Sequence, residues 1–195
     1  LKVGGRHRLN FKKLTVKDSW QLTQLLHDAY QADENLGIHF KAADISEDVV
    51  KKHLDSTPTF GYIDDEGSLI STTSVRLPWS INPGPYFLPH IGWVATDSKH
   101  KHQGFAKNII LDVISKFVKS ELKAPGVTLG TAVEHPWLKD FYISLGFIPF
   151  EEIRKYQNHK TVYLIKLLNE NELGEISNKK LKAFLQNAKV LKGGQ

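Results

Sequence analysis

The sequence predicts a mixed α/β (α+β) fold, and three observations carry that prediction. Apolar runs of strand length alternate with segments whose apolar residues recur at the helical spacing i, i+3, i+4, i+7. The stretch from Pro89 to Leu122 passes from an apolar run through a basic, glycine-bearing turn into a helix with Ile110, Val113, Ile114 and Phe117 on one face. The runs Thr59–Ile63 and Ser68–Arg76 flank Asp64-Asp65-Glu66-Gly67, a turn in which Gly67 supplies positive φ, so they read as an antiparallel hairpin.

The elements follow in order. Leu9 to Thr15 is a first strand with Leu9, Phe11 and Leu14 as its apolar members. Asp18 or Ser19 caps a helix carrying Leu22, Leu25, Leu26 and Ala29. Ala32 to Ile45 lacks a period and reads as a long connection, and Ser46 begins a short helix through Leu54, before Pro58. After the hairpin, Leu77 to Leu88 holds Pro78, Pro83, Gly84 and Pro85 among Trp79, Tyr86 and Phe87. That is too much proline for a strand or helix, and loops of this length in compact domains are often functional. His90 to Thr96 is a buried strand, Asp97 to Gln103 a basic loop, and a helix starts at Gly104 and stops before Pro125 and Gly126. Val127 to Val133 is another strand; one helix between two strands implies a parallel βαβ pair. Pro136 opens a short helix that ends at Gly146. Phe147–Lys155 and Thr161–Leu167 are strands around a turn at Gln157-Asn158. The order is β-α-α-β-β-β-α-β-α-β-β. Asn169 to Gln195 is a polar connector and a final helix with Ser177 as its cap and Leu181, Phe184, Leu185 and Ala188 as its stripe. That stripe docks on its own domain or, as the minority alternative, forms a homodimer contact.

Composition narrows the function classes. At 195 residues one domain is the default. No run approaches the eighteen or so apolar residues of a membrane span, and Leu1 to Lys13 lacks the apolar segment of a signal peptide, so a cytoplasmic protein is expected. The chain has no cysteine, which excludes disulfides, thiolate metal sites and a cysteine nucleophile. The formal charge of +5 reads mostly as a solvated basic surface. The basic stretch lacks interleaved aromatics, so nucleic acid ranks last among partners. His100 and His102 suggest no third ligand at useful spacing, so no metal is expected.

The exception to the solvated surface is Lys99 to Lys107. A strand, a glycine-bearing basic turn and a helix start together suit phosphate. The first turn of a helix carries backbone N–H groups without intrahelical partners, the macrodipole adds positive character, and a phosphate accepts those bonds. Gly104 lets the backbone approach closely, Ala106 is nearly as small, and Lys99, Lys101 and Lys107 add charge.

Lys101-His102-Gln103-Gly104-Phe105-Ala106 resembles the pyrophosphate loop of the GNAT superfamily, the acetyl-CoA-dependent N-acetyltransferases, whose pattern is Arg or Gln, two residues, Gly, one residue, Gly or Ala. The chain departs at the first position, where Lys101 keeps the charge but not arginine's planar fork. A second stretch, His135 to Phe147, resembles the other family signature: Tyr142, then Gly146-Phe147, leading into the next strand. The family often has Asn seven residues before that tyrosine; here it is His135. The element order matches too, and the resemblance covers roughly Leu9 to Leu167, so residues 1–168 are expected to form the acetyltransferase domain and 169–195 a C-terminal connector and helix.

The resemblance implies a mostly antiparallel central sheet flanked by helices, with fourth and fifth strands that splay apart. It implies acetyl-CoA as co-substrate and an amine as acceptor. By position, Val94 and Thr96 offer main-chain contacts to the pantetheine arm, with the Val94 N–H polarising the acetyl oxygen, and Tyr142 is the acid that protonates the leaving thiolate. The base is open. His90 lies four residues before Val94, where even spacing puts both on one strand face, and histidine suits proton removal near neutrality. Glu134, His135 and water compete with it. The leading reading is acetyl transfer to a primary amine by direct attack in a ternary complex, with Ala32–Ile45 and Leu77–Leu88 on the acceptor side. The alternative is a GNAT-fold module that binds CoA without catalysis, motivated by Lys101 and by the lack of an obvious glutamate base.

Overall fold

A computed structural model describes residues 9–34, 40–135, 137–154 and 160–193. The strands are Asn10–Lys13 (β1), Thr59–Ile63 (β2), Leu69–Arg76 (β3), His90–Thr96 (β4), Gly126–Ala132 (β5), Ile148–Ile153 (β6) and Thr161–Leu167 (β7). The helices are Ser19–Glu34 (α1), Glu47–Ser56 (α2), Phe105–Val113 (α3), Leu138–Ser144 (α4) and Lys179–Gly193 (α5). The strand order is β1-β2-β3-β4-β5-β7-β6. Antiparallel registers join β1 to β2, β2 to β3, β5 to β7 and β6 to β7, whereas β4 and β5 run parallel, as one intervening helix demands. This is the mixed, mostly antiparallel sheet expected. Pro136, the turn at Gln157-Asn158 and the middle of the Ala32–Ile45 connection lie outside the described residues.

The chain divides into two compact units, and β4 passes from one to the other after Gly92. The first comprises residues 9–34, 40–74 and 93–113 of the described chain. Leu22, Leu25 and Leu26 of α1 and Val50 and Leu54 of α2 are buried against Leu14, Leu69 and Ala95, so the helical stripes read from the sequence form this core. Asp18 anchors the entry to α1, its carboxylate accepting from the Thr15 N–H at 2.8 Å and from Lys12 Nζ at 2.9 Å. These bonds hold its pKa below the usual carboxylate value against the opposing effect of burial. Tyr62 on β2 donates to Asp112 on α3 at 2.8 Å, tying the helix behind the basic loop to the sheet of its own unit.

The second unit comprises residues 75–92 and the described chain from 114 onward. Here β5, β7 and β6 pack with α5, where Leu181 and Leu185 are buried with Leu88, Ile165 and Ile176. The apolar stripe of the last helix therefore docks on its own chain. Its cap is Asn178, whose side chain accepts from the Leu181 N–H at 3.0 Å, and not Ser177 as the sequence suggested. The period read through Phe117 as one α-helix also changes character: α3 ends at Val113, and Ile114–Lys119 is π-helical, with Ile114, Phe117 and Val118 still buried. Among the described residues no helix is long and apolar enough to cross a membrane.

Candidate functional site

The basic loop belongs to the first unit. Asp97 organises its start: its side chain accepts from the Lys99 N–H at 2.8 Å and shapes a 3-10 turn over Ser98–His100 inside what the sequence presented as plain loop. Asp28 of α1 accepts from the Ser98 N–H at 2.9 Å. The chain then turns through two left-handed residues, His102 at φ 62° and Gly104 at φ 81°, and α3 starts at Phe105. Lys101, His102, Gln103 and Gly104 are exposed, and Phe105 and Ala106 are half-buried. A Cβ built on Gly104 meets no atom within 4 Å, so the space before the helix is open. Exposed lysines, a left-handed glycine and the N-terminus of a nine-residue helix fit a pyrophosphate.

Upstream of this loop, Thr96 shares a 2.9 Å hydroxyl hydrogen bond with Ser71 of β3, and the Val94 carbonyl accepts from Tyr30 of α1 at 3.1 Å. Trp93 interrupts β4 with φ 49°, and the His53 ring of α2 stacks on its indole, centroids 3.6 Å apart at 17°. Strict alternation therefore does not run from His90 to Val94, and the parity that put them on one face is broken by a left-handed residue between them. Nothing in the spacing of the sequence signals that residue, nor its partner on α2.

The remaining sequence-derived residues belong to the second unit. His90 is buried at 6% exposure, and its Nδ1 lies 2.9 Å from the hydroxyl of Thr128, its register partner on β5. That hydroxyl also lies 3.3 Å from the Pro89 carbonyl, so its one proton serves either Pro89 or the Nδ1 lone pair, and the ring tautomer follows from that choice. Gly84 covers the imidazole so closely that a Cβ there would lie 2.2 Å from His90 Cβ. Thr128 and Gly84 had no signal in the sequence, because their roles depend on pairing and packing. Glu134 is exposed, and its two carboxylate oxygens share the Lys160 N–H, at 3.0 and 3.1 Å. His135 is buried and meets Trp137 edge to face at 4.9 Å.

Tyr142 is buried on α4 at 6% exposure, its ring between Phe141 and Phe147. The Phe147 N–H returns to the Tyr142 carbonyl at 3.2 Å, and Gly146 makes that turn at φ 86°. Lys166 of β7 donates to the Leu145 carbonyl at the same helix end, and burial pushes its pKa down. The Tyr-to-Gly-Phe spacing is thus a helix end that fixes where the tyrosine ring leaves the backbone.

No family model matches the chain. It is 34% identical over 161 residues to the S-(2-succino)cysteine N-acetyltransferase of Bacillus subtilis (strain 168), covering 83% of this chain and 97% of that protein. It is 32% identical over 146 residues to the S-alkylcysteine N-acetyltransferase of the same organism, covering 74% and 82% respectively. Among solved structures, an acetyltransferase of the GNAT family from Desulfovibrio desulfuricans superposes with a TM-score of 0.66 at 12% identity, covering 83% of this chain and 100% of that one. A spermidine N-acetyltransferase from Vibrio cholerae, in complex with CoA and spermine, gives 0.61 at 16%, covering 82% and 95%. With two sequence relatives above 30% identity, and with the basic loop and the tyrosine helix in the order that the fold expected from the sequence has them, the chain belongs to the GNAT superfamily of acetyl-CoA-dependent N-acetyltransferases.

Proposed function

We propose that this protein transfers the acetyl group of acetyl-CoA to the α-amino group of an S-substituted cysteine, by direct attack in a ternary complex. The acceptor class is carried by one observation: the two B. subtilis relatives, similar along most of their length, are both named for cysteines with a substituent on sulfur. In this reading the loop from Lys101 to Ala106 holds the pyrophosphate, with His135 contributing to the coenzyme site, and Thr96 and Val94 bind the pantetheine arm through the main chain. The Val94 N–H polarises the thioester carbonyl as negative charge builds on oxygen. His90 takes a proton from the acceptor ammonium, its ring held in place by the Thr128 hydroxyl. The freed amine forms the C–N bond, the C–S bond breaks, Tyr142 gives its phenolic proton to the departing thiolate, and the extra proton left on the new amide nitrogen passes through solvent to restore the phenol. Glu134, which is exposed and shares one N–H from Lys160 between its oxygens, and water are the competing bases.

The test is thiol release from acetyl-CoA across a panel of acceptors: S-(2-succino)cysteine, S-methylcysteine, S-benzylcysteine, free cysteine and spermidine, with product masses recorded. The expected result is an N-acetylated S-substituted cysteine formed with kcat/KM at least ~10-fold above that for spermidine, as discrimination by one bound substituent allows. Preference for spermidine would overturn the acceptor assignment. Tight acetyl-CoA binding with no turnover on any amine would replace the enzyme with a CoA-binding module.

A further inference from the structure

We infer that His53 and Tyr30 are positioning residues for acetyl transfer, which hold Trp93 of β4 in its left-handed conformation and thereby fix the peptide whose N–H polarises the acetyl carbonyl. The inference rests on the role given above to Val94.

An indole side chain at φ 49° is an outlier, because a bulky residue there crowds its own backbone. Such conformations persist only where the surroundings over-determine them. Two contacts do so here. On one side of the Trp93–Val94 peptide, the His53 imidazole lies flat against the indole at van der Waals distance, 3.6 Å between centroids. Beyond the peptide, the Tyr30 hydroxyl donates to the Val94 carbonyl at 3.1 Å. The N–H between those two points is Val94's own, so its direction follows from the torsions of Trp93 and Val94, which the contacts pin. Both clamps are rooted in the core of the first unit: Tyr30 on α1 behind Leu22, Leu25 and Leu26, and His53 on α2 beside Val50 and Leu54. Trp93 itself packs against that core. Glycine would adopt this φ without strain; the chain uses tryptophan and two partners, which makes the turn rigid as well as left-handed.

The experiment compares Trp93→Ala, Trp93→Gly, His53→Ala, His53→Phe and Tyr30→Phe by steady-state kinetics, acetyl-CoA affinity, and the infrared carbonyl band of bound acetyl-CoA labelled with carbon-13. Wild type should show the band shifted to lower frequency than in free acetyl-CoA. Trp93→Ala and His53→Ala should lose roughly 10-fold in kcat, a fraction of the effect of deleting an oxyanion donor, and move the band back toward the free position. Trp93→Gly, which accepts the torsion, and His53→Phe, which keeps a flat ring on the indole, should restore both readouts to within about 3-fold of wild type. Tyr30→Phe, which loses one oxygen, should cost about 3-fold in kcat and part of the band shift. Acetyl-CoA affinity should stay constant throughout. Equal losses in Trp93→Gly and Trp93→Ala, borne by the acceptor KM, would overturn the inference in favour of an indole that touches the acceptor. An inactive His53→Phe with an altered pH profile would overturn it in favour of proton transfer by His53. Should either alanine variant fail to fold, a band at the wild-type position in Tyr30→Phe together with full kcat would suffice to reject it. An unshifted band in wild type would instead reject the role of Val94, a separate failure.

Discussion

Two glycines flank β4 and are required for opposite reasons. Gly84, before the strand, has an ordinary extended backbone, φ −70° and ψ 169°, but a Cβ there would lie 2.2 Å from His90 Cβ and 2.9 Å from its Cγ. Gly104, after the strand, has open space around it but sits at φ 81°. One glycine makes room for a side chain; the other makes a turn no other residue takes cheaply. The residues before β4 are therefore a packed arrangement of side chains, and the loop after it is an exposed arrangement of backbone. A coenzyme's pyrophosphate, the same in every reaction, can be met by backbone, whereas a buried imidazole needs its ring held by specific neighbours.

The largest expected effect falls on the backbone side. Gly104→Glu puts a side chain and a negative charge at the left-handed position proposed for phosphate. Acetyl-CoA affinity should fall at least ~100-fold, about 2.7 kcal/mol, with stability reduced only by the torsional strain of roughly 1 kcal/mol, because the site is otherwise open. Calorimetry on a folded variant decides this, and unchanged affinity would remove the loop from the coenzyme site. Tyr142→Phe comes next. It removes one oxygen from a buried ring, so packing against Phe141 and Phe147 survives. Turnover should drop about 100-fold, the low end for general acid catalysis, while acetyl-CoA affinity holds. A structural tyrosine would give the reverse, a lower melting temperature with turnover intact.

His90→Gln tests the packed side as chemistry. The loss should reach roughly 10-fold or more near pH 6, where the acceptor is protonated, and shrink at high pH, where free amine needs no base. A pH profile parallel to wild type would return proton removal to water. Gly84→Ala tests the same side as packing. The added methyl cannot fit without moving His90, so stability should fall by about 1–3 kcal/mol. Gly104→Ala has only its torsion to strain, and should lose roughly 1 kcal/mol. Urea titrations of the pair check the contrast, and equal losses would dissolve it.

The contrast also explains what was legible in the sequence. The strand, basic turn and helix from His90 to Val113 were readable because each is built from local residues in a fixed order. The hairpin at Gly67 and the turn at Gly146 were readable for the same reason: a left-handed glycine serves its own neighbours. Thr128, Gly84 and His53 were not readable, since each matters through a residue at least six positions away that only the fold brings near. Trp93 shows the limit most sharply. Its alternation pattern was that of a regular strand, and tertiary contacts overrode it. The cap of α5 was missed by a single residue because Ser177 and Asn178 are both good caps.

The smallest expected effect concerns how the packed side is strapped from behind. Tyr86, at φ 66° before β4, donates its hydroxyl to Glu151 of β6 at 2.6 Å, and Lys180 of α5 reaches the other carboxylate oxygen at 3.0 Å. The Tyr86 bond first, and Lys180 second, hold the Glu151 pKa below its ordinary value of 4.5, outweighing burial. Burial and the facing carboxylate push the Tyr86 phenol the other way, so it remains a donor throughout the accessible pH range. The sign follows directly. A carboxylate whose folded pKa is depressed contributes stability that is fully present above about 4.5 and is lost as pH falls through the folded value. Glu151→Gln keeps the shape and one acceptor but removes the charge. It should cost about 1 kcal/mol at pH 7, the difference between a charged and a neutral hydrogen bond. Lys180→Met should cost less, about 0.5 kcal/mol or below, because that ammonium is 70% exposed and screened by solvent. Urea unfolding of wild type and Glu151→Gln should therefore diverge at pH 7 and converge as pH falls through the depressed folded pKa of Glu151, where the wild-type carboxyl becomes neutral. A gap that stays constant with pH would mean that shape, and not charge, holds Tyr86 in its left-handed turn.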